Sequence, residues 1–234
     1  MTDISAAAFG ATAPVDLGRL YAASRARITD LVADADPATP VPATPGWSVH
    51  DVIAHVRGVV QDGLAGNMAG APGEAWTAAQ VERARDILVA DLLIGWAEQA
   101  RPFEAFLSSP AGANATAAVI DVLTHECDLR GALQCGGGLD DDAGRFAFAA
   151  LAGSVLQRAV AAGLAPIRIT TPEGDAVGPE DAATRLEAPR YEVVRAVLGR
   201  RSPAQVQAYA WTGDAVPYLP HVAVFGPREA PLED

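Results

Sequence analysis

Two helix-like apolar segments of the chain each carry a histidine where the core of a helical bundle is expected, His55 in the first and His125 in the second. Because an α-helix advances about 100° per residue, Asp121, His125 and Asp128 fall on one face of the second segment. Together, His55, Asp121 and His125 offer three ligands for one metal ion. Three protein ligands with an open fourth position are typical of catalytic zinc.

Metal-free interpretations of the same residues remain open. A histidine in an amphipathic helix is commonly a hydrogen-bonded core or surface residue, and Asp121 alone fits a solvent-facing position. A cation is favoured because burying Asp121 and Asp128 without a compensating charge costs several kcal/mol each. Asp128 would then orient an imidazole N–H or a bound water, as a catalytic-site residue that is not itself a ligand. The alternative for Asp128 is an ion pair with Arg130 or Arg57.

The composition restricts the classes of function. The net charge of −12 argues against a nucleic-acid partner. All 17 basic residues are arginine, which excludes Schiff-base lysine chemistry and a P-loop lysine. No run approaches the roughly 20 apolar residues of a membrane span, so no membrane partner is expected. The length of 234 residues fits one large domain or two small ones, and the change from helical to mixed α/β patterning along the chain predicts two, at 13–140 and 141–234.

The cysteines and the amino terminus predict a cytoplasmic protein. Cys127 and Cys135 are too few for a disulfide framework, and no base is placed to activate either thiol, so both are interpreted as packing residues. The first residues lack the basic and apolar regions of a signal peptide.

Apolar spacing predicts a mainly α protein, with an antiparallel four-helix bundle followed by a smaller α+β domain. Ser48 and Asp51 form a capping-box pattern at the start of the second bundle helix, which places His50 in an exposed first turn. The predicted bundle helices are 15–35, 48 onward, 77–107 and 115–134. The predicted later elements are helices at 141–162, 191–198 and 202–208, and strands at 166–171, 183–186 and 220–225.

Two motifs resemble those of a known family. The segment 44–55, Thr-Pro-Gly-Trp-Ser-Val-His-Asp-Val-Ile-Ala-His, resembles the first signature of the mycothiol-dependent maleylpyruvate isomerase family, which belongs to the DinB-like metal-binding bundles. The segment 121–129, with its carboxylate, histidine and Asp-Leu, resembles the second signature. The segments 198–201 (Leu-Gly-Arg-Arg) and 211–214 (Trp-Thr-Gly-Asp) resemble the family's C-terminal domain.

The resemblance implies a zinc-type divalent ion on His55, Asp121 and His125, and mycothiol as co-substrate. The family's isomerase has glutamate where this chain has Asp121. The expected function is a metal-dependent enzyme that uses a low-molecular-weight thiol for isomerisation or S-transfer on a small electrophilic or anionic substrate. Arg200 is the candidate for holding an anionic substrate or cofactor, and the alternative is a plain surface role. The alternatives are a non-catalytic metal-binding or ligand-sensing DinB-like protein, and a metal-free structural bundle. The sequence predicts no oligomeric state.

Overall fold

The computed structural model describes residues 15–233, which form two compact units, 15–136 and 137–233. The predicted domain limits at 13 and 234 lie outside the described residues. The N-terminal unit is helical. Its helices are α1 (Leu17–Val32), α2 (Val49–Ala65), α3 (Glu74–Ala84), α4 (Val89–Leu107) and α5 (Thr116–Ala132), with a single 3₁₀ turn at Pro110–Gly112.

Four of these helices pack as a ring, in which α1 and α2 each contact both α4 and α5. The centre of the ring is apolar, and it includes the fully buried Trp96 of α4 and Tyr21 of α1. The Trp96 indole N–H donates to the Tyr21 hydroxyl at 3.1 Å, which satisfies both buried polar groups. Since α2 and α5 are direct neighbours, their inward-facing side chains can meet across one interface.

The capping box predicted at the start of α2 is confirmed. The Asp51 backbone N–H donates to Ser48 Oγ at 3.4 Å, and the Ser48 N–H donates to Asp51 Oδ2 at 2.8 Å. The helix ends at Gly66, whose φ of 71° is the left-handed conformation that glycine adopts without strain. These local signals fix where α2 begins and ends, and therefore where His55 lies along it.

A buried ion-pair cluster joins α5 to α1. The Glu126 carboxylate, whose side chain is 1% exposed, accepts from Arg27 Nε at 2.7 Å and from Arg27 NH2 at 2.8 Å. Arg130, one turn further along α5, donates to the same carboxylate from Nε and NH2, each at 3.0 Å. Charge-assisted bidentate pairs have fixed geometry, so this cluster sets the position of α5 on α1.

The predicted single helix over 77–107 is wrong, because the chain forms α3 and α4 with a break at residues 85–88. No glycine or proline marks this break, and the apolar period continues through it. The backbone leaves the helical conformation at Leu88, and the Ile87 carbonyl lies 2.9 Å from His50 Nε2. Packing of α3 and α4 at different places on α2 therefore overrides the local helical signal.

The C-terminal unit combines helices with a small mixed sheet. Its elements are α6 (Asp142–Ala161), β1 (Ile167–Thr170), β2 (Ala176–Val177), β3 (Thr184–Glu187), α7 (Arg190–Val197), α8 (Pro203–Gln207), β4 (Ala210–Thr212) and a 3₁₀ turn at Leu219–His221. The strand order is β2-β1-β3-β4, and only the β1–β3 pair is parallel.

The predicted last strand at 220–225 is wrong, since the fourth strand is β4. Trp211 in this strand pairs with Leu186 of β3. Three residues are too short a run to give a clear alternating pattern, which explains why the sequence missed it. The mainly α fold with a small α+β C-terminal part is confirmed. Among residues 15–233, no helix is both long and apolar enough to cross a membrane.

Candidate metal centre

The structure brings His55 of α2 together with Asp121 and His125 of α5. Asp121 Oδ1 lies 3.5 Å from His55 Nε2 and 3.7 Å from His125 Nε2. One ligand atom from each residue lies within 4.8 Å of the other two. Both imidazoles are buried, whereas the Asp121 side chain is 33% exposed. The three residues therefore form a possible metal site with its carboxylate on the accessible side.

The donor set fits a small divalent cation. With metal–ligand distances of about 2.0–2.1 Å, two ligands of a tetrahedral zinc ion lie roughly 3.3–3.4 Å apart. The separations of 3.5 and 3.7 Å from Asp121 Oδ1 to the two imidazole nitrogens are close to this spacing. Two nitrogens and one oxygen also match the borderline preferences of zinc. Asp121 is therefore already placed for one ion, while the limit of 4.8 Å on all three separations means that the two imidazoles would close in on the ion when it binds.

Hydrogen bonds on the far side of His55 determine its tautomer. Gln80 Oε1 lies 2.7 Å from His55 Nδ1, and Gln80 Nε2 donates to Asp62 Oδ2 at 2.8 Å. Since a carboxylate only accepts, Asp62 fixes the amide with its oxygen towards His55, and His55 Nδ1 must carry the proton. In the neutral ring, Nε2 then presents a lone pair to the Asp121 carboxylate. Two acceptors facing each other favour a cation between them.

Asp62 remains ionised despite its burial. Burial raises the pKa of this carboxyl group, but hydrogen bonds from Gln80, Asn67 and Arg83 outweigh that effect and hold the pKa below its usual value. The bonds from Asn67 and Arg83 are both 3.0 Å long and end on Oδ1. An ionised Asp62 is what keeps the Gln80 amide oriented towards His55.

The helical period explains how α2 supports this chain of hydrogen bonds. His55, Gly58 and Asp62 follow one another at i, i+3 and i+7, so all three lie on the face that meets α3. A Cβ atom at position 58 would lie 2.6 Å from the Cβ of Gln80. Glycine at this position therefore lets α3 approach closely enough for Gln80 to reach His55.

Asp128 lies behind the second imidazole. Its Oδ2 is 3.2 Å from His125 Nδ1, which is ion-pair distance. The alignment is not that of a hydrogen bond, and Nδ1 is a buried atom with no hydrogen-bond partner among the described residues. At this distance Asp128 is placed to accept from His125 Nδ1 once a ligand fixes the ring plane. Of the two alternative partners, Arg130 is paired with Glu126, and Arg57 lines a cavity between α2 and α3.

Two tryptophans border the imidazoles. The Trp47 ring stacks on His125, with centroids 6.1 Å apart and planes at 24°, and lies 5.1 Å from the His55 ring. Trp76 meets His55 edge-on at 6.4 Å. Apolar rings beside buried nitrogens reduce contact with water and strengthen electrostatic interactions in the site.

The sequence missed Asp62, Gln80 and Trp76. The position of Asp62 could have been predicted, since it lies on the same face of the helix as His55. The sequence holds no comparable signal for Gln80 and Trp76, because they belong to α3 and the packing of α3 on α2 was not predictable. His50 is half-buried rather than exposed, and its Nε2 lies near the Ile87 carbonyl.

The remaining candidates are not among the three possible metal ligands. Arg200 belongs to the C-terminal unit and donates from NH1 to the Leu198 carbonyl at 2.8 Å. Its neighbour Arg201 is buried and holds Glu192 in a bidentate pair, which is a structural role. An anion-binding role for Arg200 stays a prediction. Cys127 is buried and consistent with packing, but Cys135 is exposed, so the packing interpretation is wrong for it.

Removing the Gln80 amide tests its effect on His55. We expect Gln80→Leu to weaken zinc binding about 10–100-fold, the usual cost of losing an outer-shell partner, because His55 Nδ1 loses its acceptor. Isothermal titration with zinc measures the change. The control is Gln157→Leu, which makes the same substitution at an exposed position of α6. Zinc affinity equal to that of the control would contradict the assignment.

Comparisons with known proteins agree with this architecture. Residues 19–130 match the family described as the mycothiol maleylpyruvate isomerase N-terminal domain. Two solved structures match over 84% of this chain and 91% of theirs, each with a TM-score of 0.57. They are the mycothiol-dependent maleylpyruvate isomerase, at 12% identity, and a histidine-to-alanine mutant of it, at 11%. At these identities the structural likeness shows the fold alone. No curated protein matches the chain.

Proposed function

We propose, starting from the fact that residues 19–130 belong to the mycothiol maleylpyruvate isomerase N-terminal domain family, that this protein is a divalent-metal-dependent enzyme acting with a low-molecular-weight thiol. The thiol we propose is mycothiol, and the reaction is isomerisation or S-transfer on a small electrophilic substrate. One observation carries the proposal. The imidazole Nε2 atoms of His55 and His125 both face Asp121 Oδ1, at 3.5 and 3.7 Å.

His55, Asp121 and His125 would hold the metal, which we propose to be zinc. When bound, such an ion stabilises a thiolate at neutral pH. Three protein ligands leave room for one more donor, and the exposure of Asp121 marks the side from which a thiol can enter. Neither cysteine of the chain is among the three ligands, so a sulfur nucleophile at the metal would come from a bound thiol.

The surrounding residues have defined tasks in this proposal. Gln80 keeps the proton of His55 on Nδ1, and Asp128 is placed to do the same for His125. Trp47 and Trp76 limit the access of water to the two rings. A thiolate protected in this way adds to an electron-poor double bond, and the electron pair of that bond moves onto the adjacent carbonyl group as an enolate. Rotation about the resulting single bond followed by loss of the thiolate gives isomerisation. Uptake of a solvent proton by the enolate, or loss of chloride from a chloroarene substrate, leaves the sulfur attached and gives transfer.

Turnover assays with the zinc-loaded protein test the proposal. We expect cis–trans isomerisation of maleylpyruvate, or conjugation of the electrophile 1-chloro-2,4-dinitrobenzene, to require both mycothiol and zinc. Isomerisation is followed by NMR and conjugation by mass spectrometry. Asp121→Ala is the metal-site control and should lower the rate to that of the reaction without protein. Stoichiometric zinc with no thiol-dependent turnover of either substrate would contradict the enzymatic proposal and favour a non-catalytic metal-binding protein.

A further inference from the structure

A cavity of about 550 Å³ lies between α2 and α3. Its volume falls within the roughly 300–1,000 Å³ that small-ligand sites occupy. None of His55, Asp121 and His125 lines it. The polar residues that line it are Arg57, Gln61, Asp62, Asn67 and Arg83.

Arg57 lines this cavity, and no carboxylate among the described residues forms an ion pair with it. Its guanidinium lies over Gly95 of α4, where a Cβ atom would be 3.0 Å from Arg57 Nε. That Nε is buried and has no hydrogen-bond partner among the described residues. The described residues that line the cavity include one carboxylate, Asp62, and it pairs with Arg83 and not with Arg57.

The guanidinium of Arg83 is already paired with a carboxylate. Its NH2 donates to Asp62 Oδ1 at 3.0 Å, while its side chain remains 43% exposed. Asp62 therefore offsets one of the two positive charges at the cavity. The charge of Arg57 is left over, and a half-buried guanidinium without a counter-charge is unfavourable in the empty cavity.

We propose that the α2–α3 cavity binds a small oxyanion, a carboxylate or phosphate group, through the guanidinium of Arg57, with Arg83 as a second donor. A guanidinium presents paired N–H donors that match the oxygens of both groups, and charge-assisted bonds of this kind are the strong ones. Bound oxyanion would supply the counter-charge that Arg57 lacks. This inference does not depend on the proposed enzymatic activity, because the site shares no residue with the three metal ligands.

Anion titrations of the full-length protein test the inference. The probes are sodium phosphate and sodium malonate, each compared with sodium chloride at equal ionic strength, and binding is measured by calorimetry and by the shift in Tm. We expect saturable binding of at least one probe to the zinc-free protein, since none of the three metal ligands lines the cavity. The ratio of the two affinities identifies the preferred group. Absence of any effect beyond that of chloride would overturn the proposal.

Variants identify the residue responsible. Arg57→Gln should weaken anion binding at least 10-fold, and Arg57→Lys should weaken it less, because lysine keeps the charge but lacks the paired donors. If circular dichroism shows that Arg57→Gln does not fold, the anion affinity of Arg57→Lys alone tests the role of Arg57. Arg85→Gln removes an exposed arginine paired with Glu82 and should leave binding unchanged. Anion affinity in the Arg57 variants equal to that of the parent would refute the assignment.

Discussion

Replacement of His125 by alanine is expected to abolish stoichiometric zinc binding. In the proposed site, His125 is one of three donors among the described residues, and its Nε2 lies 3.7 Å from Asp121 Oδ1. We expect zinc affinity to fall by more than about 100-fold, because losing even an outer-shell partner costs about 10–100-fold. Elemental analysis of protein purified without an affinity-tag metal measures occupancy, and calorimetry measures affinity.

A second readout separates metal loss from misfolding. Zinc at 100 times its dissociation constant should stabilise the parent protein by about 2.7 kcal/mol, and His125→Ala should lose this stabilisation while remaining folded. The control is His221→Ala, which removes an imidazole from the C-terminal unit and leaves intact the backbone carbonyl that accepts from Arg158. Full zinc occupancy in His125→Ala would show that the ligand assignment is wrong, and the proposed thiol chemistry would fail with it.

The largest stability effect is expected for Trp96→Ala. Trp96 is fully buried at the centre of the helical ring, and its indole N–H is the donor to the buried Tyr21 hydroxyl. Truncation leaves a cavity and removes that donor, so the free energy of unfolding should fall by about 3–5 kcal/mol. Urea denaturation followed by circular dichroism measures the change, with the metal content held constant because bound metal adds stability.

Two control variants show how much of this loss of stability comes from the cavity and how much from the lost hydrogen bond. Trp96→Phe keeps most of the buried volume and loses the hydrogen bond, so we expect a smaller loss of about 1–2 kcal/mol. Phe225→Ala removes an aromatic side chain that is 68% exposed, and should change the free energy of unfolding by less than about 0.5 kcal/mol. A loss in Trp96→Ala no larger than in Phe225→Ala would contradict the packing described here.

The two variants test different parts of the N-terminal unit, its apolar core and its candidate metal site. Trp96 holds α4 in the ring that also contains α2 and α5, whereas His125 acts directly at the point where those two helices meet. A variant that loses stability but retains zinc would show that the site tolerates a loosened core. A variant that loses zinc but retains its fold would show that the helical bundle folds without the metal.

The elements with strong local signals were predictable. The start of α2 follows from Ser48 and Asp51, since a capping box is formed entirely by residues three positions apart. The helical period likewise placed Asp121, His125 and Asp128 on one face of α5. Where local and tertiary preferences differed, the prediction failed, as it did at residues 85–88, where the chain breaks between α3 and α4 without any local stop signal.

The sequence by itself determined which donor types are available and which of them share a helix face, because both depend only on residue identity and helical geometry. The tertiary structure decided that α2 meets α5 and that Gln80 and Asp62 fix the proton of His55. It also placed Arg57 at a cavity whose one carboxylate among the described lining residues, Asp62, pairs with Arg83. These contacts join residues far apart in the chain, and they depend on how whole helices pack.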